Sequence, residues 1–269
     1  MKPFEALLGQ ILLYLNFLRK NIISKTQYKI DTILLPITVV IRELVSIVAL
    51  YFILRNFGSL DGWNMEELLL LNSFTFLSYS ICVLVFTGVR DFGVIIQQGD
   101  FDSYLTKPIS PLFYLISKNS DIIATIGHGL VGLLLFSYAY HKVGLAINFK
   151  NTIIIIIMLA SGVLIQGSIL LISATFSFWT VKSFSIQNLL FNQTRSFITY
   201  PISIYPEFIQ FLLTFVIPFS FVNYFPIKVL IGSVNNYFVI FPPLVGIICF
   251  WLSLYFWKYG LRHYSSTGS

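Results

Sequence analysis

Residues 90–111 read RDFGVIIQQGDFDSYLTKPISP, and they stand between two apolar stretches each long enough to cross a bilayer. Acids (Asp91, Asp100, Asp102), bases (Arg90, Lys107) and turn formers are concentrated here. The run Gln97, Gln98, Gly99, Asp100 reads as a helix stop followed by a turn, because glycine enters the left-handed region without Cβ strain. Lys107 and Pro108 close the segment, since proline has no N–H and restrains the residue before it. The pattern predicts a short amphipathic helix (Phe92, Ile95, Ile96), a turn, a second short piece (Phe101, Tyr104, Leu105), then proline. Such an element lies at a membrane surface with one face open to a partner, or serves as a solvated connector.

Outward from this stretch the chain is 57% hydrophobic and 10% charged, where a soluble domain carries roughly 25% charged residues. That composition is an integral membrane protein. Lipid cannot satisfy an open backbone, and no barrel-like alternation is present, so the fold class is an all-α polytopic membrane protein. Residues 1–31 read as amphipathic and basic rather than as a cleavable signal peptide. The net charge of +6 sits beside spans, which suits lipid head groups and not nucleic acid. Cys82 and Cys249 are isolated in apolar spans and read as small buried hydrophobes rather than a disulfide or a metal site.

In chain order, residues 1–30 form an interfacial helix with Leu7, Leu8, Ile11, Leu12, Leu15, Leu18 and Ile22 at helical spacing. Residues 31–260 form one unit of six transmembrane helices, and 261–269 a polar tail. The spans fall near 33–54, 68–89, 115–140, 152–179 and 237–259. The fifth span lies within 208–225, kinked at Pro218 and returning through a re-entrant piece near 225–233. Ser73, Ser80 and Thr87 recur seven apart on the second span beside Asn72 and Tyr79, and Ser161, Ser168 and Thr175 on the fourth; both faces should pack against protein. Gly127, Gly129 and Gly132 permit close helix approach on the third. The polar run 182–195 reads as an inner loop.

Of the 17 Lys and Arg residues, Arg42 lies inside a span, and Arg55, Lys142, Lys150 and Lys228 fall in outer positions. All the others, from Lys2 to Arg262 and including Lys182 and Arg195, fall on one side, so both termini are expected in the cytoplasm. Arg42 and Glu43 sit near the middle of the first span, where an unpaired charge costs about 2.5–3.5 kcal/mol or more. They line a pathway, latch subunits, or form a structural ion pair with another span. Neighbours on a helix point about 100° apart, so they need not pair with each other. Glu207 follows Pro206 at a helix start, where capping or gating would both use a carboxylate. His128, His141 and His263 show neither metal-ligand spacing nor triad partners. No Gly-x-x-x-x-Gly-Lys-Ser/Thr run exists, so ATP phosphates would be cradled by another polypeptide.

Gly99-Asp100-Phe101-Asp102-Ser103-Tyr104-Leu105-Thr106-Lys107-Pro108 resembles the Gly-x-x-Asp-Tyr/Leu-Leu-x-Lys-Pro pattern of ABC-2-type exporter permeases, in the branch that includes viologen-exporter-like permeases. The similarity extends over almost the whole chain. It implies a type V exporter-like architecture in the bacterial inner (plasma) membrane, with two ATPase subunits holding ATP and Mg. It also implies a second permease, identical or related, with no cofactor on this chain. Gly99, Asp100, Asp102, Tyr104, Leu105, Lys107 and Pro108 would then couple to the ATPase, although Asp100 or Asp102 could instead cap the second short helix. The substrate class (drug, lipid, glycan or peptide) stays open. A membrane enzyme acting on a lipid-linked substrate would want paired carboxylates at one interface, which scattered Asp100, Asp102 and Asp121 do not supply. A scaffold without transport is the remaining alternative.

Overall fold

The computed structural model describes residues 3–27, 29–180 and 183–265; Lys2, Lys182 and Ser266 lie outside the described residues. The elements are α1 (Pro3–Thr26), α2 (Lys29–Phe57), α3 (Met65–Arg90), α4 (Phe92–Gln97), α5 (Asp102–Leu105), α6 (Pro111–Lys118), α7 (Ile122–Lys142), α8 (Phe149–Thr175), α9 (Ser183–Gln187), α10 (Thr194–Phe197), α11 (Glu207–Phe211), α12 (Tyr224–Leu230) and α13 (Phe241–Arg262). Five helices are long and apolar enough to cross a membrane, and a sixth crossing is available if one pair of helical pieces bent by 75° counts as a span.

The long helices begin where the sequence caps them. Asn64 opens α3 with a reciprocal box: its side chain accepts from the Glu67 N–H (2.9 Å) while the Glu67 carboxylate accepts from the Asn64 N–H (3.1 Å). Asn148 caps α8 by accepting from the Asn151 N–H at 2.8 Å. Asp121 caps α7, and this divides the third span, expected as continuous over 115–140, into α6 and α7. The sequence Asn119, Ser120, Asp121 supplies the break, with Asn119 leaving helical geometry at ψ 47°.

The core is built around α3, whose span is the most buried of the five. The expected glycine contacts are present. A Cβ on Gly127 would meet Val39, one on Gly129 would meet Ser80, and one on Gly132 would meet Leu77, so α7 packs closely on both α2 and α3. Both hydroxyl faces are buried, Ser73, Ser80 and Thr87 on α3 and Ser161, Ser168 and Thr175 on α8. Their role differs from expectation. Ser73, Ser168 and Thr175 donate back to Leu70, Ile165 and Leu171 carbonyls of their own helix, so the seams depend on small size more than on bonds across them. Gln166 is one exception, donating to the Ser78 hydroxyl at 2.8 Å.

A Cβ on Gly246 would touch Ser161 and one on Gly260 would touch Thr175, the same spacing on both helices, so α8 and α13 run parallel. The chain between them must therefore cross back once. The bend falls at Pro218, as expected, but the chain reaches it by a route the sequence did not show. The polar run after α8 is no surface loop: Phe191 packs on Tyr79 at 6.0 Å, and the Arg195 guanidinium lies 3.5 Å above the Tyr79 ring, midway along α3. Arg195 thus belongs to the bundle interior and drops out of the inner-side charge count. The climb continues through two buried amides. Asn72 donates to the Thr199 carbonyl (3.0 Å), and Asn223 to Ile198 (2.7 Å) and to the Thr75 hydroxyl (2.9 Å). The pieces 207–216 and 219–230 form the bent pair, and its second limb reaches Trp63, which stacks near Tyr224 at 5.6 Å. The crossing is thus a composite of α9 to α12 with broader helical turns, bonded i to i+5, at 188–193 and 212–216.

Candidate functional site

The stretch 90–111 folds as its turn chemistry dictates. After α4, the Gly99 N–H bonds the Ile96 carbonyl and the Asp100 N–H bonds the Ile95 carbonyl, both at 3.1 Å, with Gly99 at φ +74°. Ser110 caps α6 by accepting from the Phe113 N–H, with Pro111 in the first turn.

Most of its apolar residues are buried against protein, Val94 and Leu105 excepted. Phe92 and Phe101 are fully buried and meet edge-to-face at 5.0 Å. Phe92 also meets Phe178 (5.2 Å) and Trp257 (4.8 Å), and Phe101 meets Tyr264 (5.0 Å). Tyr104 is buried against Tyr114 at 4.9 Å, with the Lys118 ammonium over its ring at 4.7 Å. An aromatic block therefore fastens the stretch to the far end of α13. Asp102 is half-buried, and its carboxylate accepts from the Tyr264 hydroxyl at 3.0 Å, so it turns inward and not toward a partner. Neither acid caps α5, which begins without a side-chain cap. The outward rim keeps Asp100, Leu105, Lys107 and Pro108 exposed, with Gln97, Gln98 and Ser103 beside them.

Beside the stretch, α1 docks through Lys25 on Asp121 (2.7 Å), Asn21 on the Ser117 carbonyl (3.4 Å) and Phe17 on Tyr114 (5.7 Å). Leu8, Ile11, Leu12, Leu15 and Ile22 stay exposed on the opposite face, as an interfacial helix requires.

The second constellation lies at mid-bundle. Arg42 and Glu43 do pair, at 2.9 Å, because the long Arg42 side chain bends around the helix. Glu43 also stands 3.1 Å from His128 of α7, and Arg42 reaches the same ring at 3.3 Å. Tyr79 meets the His128 ring edge-on at 4.8 Å and carries Arg195 on its other side. The partners are unequal: the Glu43 side chain is 7% exposed and that of Arg42 is 61% exposed. A cavity of about 190 Å³ opens here, lined by Arg42, Glu43, Ser46, Thr75, Asn192 and Arg195 among others. Sequence reasoning missed His128 and Arg195 as members; His128 is a polar residue in an apolar stretch, whereas Arg195 ends a polar run and carried no such signal. Glu207 stays apart, exposed in the first turn of α11.

A family model described as ABC-2 family transporter protein matches residues 40–268. No curated protein and no solved structure matches the chain.

Proposed function

The chain belongs to the ABC-2 transporter family, and from that premise we propose that it is the transmembrane permease subunit of an exporter driven through residues 90–111 by a separate ATPase. Two ATPase copies carry ATP and Mg, and two permeases, identical or related, enclose the pathway. The observation that carries the coupling role is the two-sided build of the stretch: an aromatic block grips α13 from within, and a polar rim with Asp100 and Lys107 faces outward. Closure of the ATPase pair would move the rim, and the block would pass that movement to α13 and α8. Positive residues at this end (Lys25, Arg90, Lys107, Lys118) favour the cytoplasmic side of a bacterial inner membrane. The exposure of Arg42 at mid-span supports a second permease: lipid is a poor neighbour for a guanidinium, and a partner or a wet cavity is a good one.

The test uses exposed positions only, since Asp102 is tied to Tyr264. Asp100→Lys combined with Lys107→Glu should leave the permease folded in membranes while its ATPase is lost on purification. Stoichiometric retention with undiminished substrate-stimulated ATP hydrolysis would falsify the coupling role. A membrane enzyme would instead turn over a lipid-linked substrate without any ATPase, and a scaffold would retain partners but move nothing.

A further inference from the structure

The mid-bundle cavity is rich in donors and poor in acceptors. Glu43 is its carboxylate, and it is already engaged by Arg42 and His128. Among the described residues none forms an ion pair with Arg195. Its guanidinium rests on the Tyr79 face, and its Nε–H is buried without a partner. A guanidinium has five N–H donors and accepts nothing. The other oxygens nearby are uncharged: Ser46 donates to the Glu43 carbonyl, Ser196 to that of Gln193, and Thr75 receives Asn223, so none of these hydroxyls offers a negative charge to a guanidinium. Two arginines against one carboxylate leave a net positive charge at mid-span, where a charge lacking a partner is costly.

We infer that this cavity binds an oxyanion, a carboxylate or phosphate borne by an amphiphile, and that the transported substrate is of this anionic class. The size of the cavity favours a head group alone. About 190 Å³ falls below the range of roughly 300–1,000 Å³ that encloses a whole drug-sized ligand. The remainder of the molecule is accommodated outside it, where Ile41, Leu44, Val45 and Val48 of α2 stand exposed around Arg42. Fork-shaped guanidinium donors match carboxylate and phosphate oxygens two at a time, and they repel a cationic head. The substrate assignment rests on the permease reading; the binding site does not.

The permease is purified in dodecyl maltoside and titrated with dodecyl phosphate, dodecyltrimethylammonium and dodecanol, three probes that share a tail and differ in head charge. Tryptophan fluorescence reads the unfolding midpoint. Dodecyl phosphate should raise the midpoint saturably, and the other two should not. Arg195→Gln should raise the half-saturating concentration by roughly tenfold or more, the loss of a charge-assisted bond. If Arg195→Gln does not fold, Arg195→Lys decides the matter. It keeps the charge without the fork, so weakened binding supports the site and unchanged binding overturns it. Equal stabilisation by the cationic and anionic probes also overturns the site, while leaving an ATP-driven permease intact. Charge-selective binding that fails to stimulate ATP hydrolysis in the reconstituted complex overturns the substrate role and leaves the head-group site.

Discussion

Glu43 holds more of the fold than Arg42 does, although the two are adjacent. Its carboxylate is buried between Arg42 and His128 and within the field of Arg195, so Glu43→Ala removes the one counter-charge that the described residues give the cluster. The half-buried Arg195 guanidinium then has no carboxylate near it among those residues, so Glu43→Ala should cost about 1–3 kcal/mol. Arg42 is mostly exposed, and its loss leaves Glu43 with His128 still beside it, so Arg42→Ala should cost no more than about 1 kcal/mol in detergent. Thermal unfolding of the solubilised permease checks the order; equal destabilisation would show that the cluster does not discriminate between them. The sequence marked both residues as unusual for a mid-span position. It could not show the asymmetry, because that depends on His128 and Arg195, which the fold brings in from α7 and α10.

Between elements, one backbone contact sets where α6 can lie. A Cβ on Gly88 would run into the carbonyl of Leu115, and that carbonyl cannot swing aside as a side chain can. Gly167 is the contrast, since its added Cβ would meet the Phe86 ring at 2.5 Å. Gly88→Ala should therefore lower stability by about 1–3 kcal/mol and shift α6 with the attached stretch 90–111. A melting curve compared with that of Gly167→Ala reads this; a milder effect for Gly88→Ala would contradict the packing. Neither glycine was singled out from the sequence, whereas Gly127, Gly129 and Gly132 were, because three small residues together form a pattern and one does not. Turn chemistry was legible at Gly99 for a local reason: that conformation depends on the residue itself. The polar run before the fifth crossing was misread for the opposite reason. Asn, Gln and Arg at 187–195 look solvated until Tyr79 and α3 stand beside them.

For the whole molecule, composition fixed the class, and parallel packing of α8 and α13 fixes an odd number of crossings between them. Ser59→Cys and Ile147→Cys, both at exposed positions, should react with an impermeant thiol reagent from outside intact cells. Ser103→Cys, on the rim at the basic end, should not. Ile147 is chosen over the adjacent Asn148 because the Asn148 side chain caps α8. External labelling of Ser103→Cys would invert the assigned orientation. The aromatic block has one further implication, for the order in which the protein is made. Tyr264 follows Asp102 by 162 positions, and Trp257 stands on the last long helix. At 5–20 residues per second, roughly ten to thirty seconds of synthesis separate the emergence of the stretch 90–111 from that of the residues that seat it. Until the final helix is inserted, Phe92 and Phe101 lack their partners there, so an incomplete nascent chain cannot present the finished rim, and assembly with an ATPase would wait for the chain to be nearly complete.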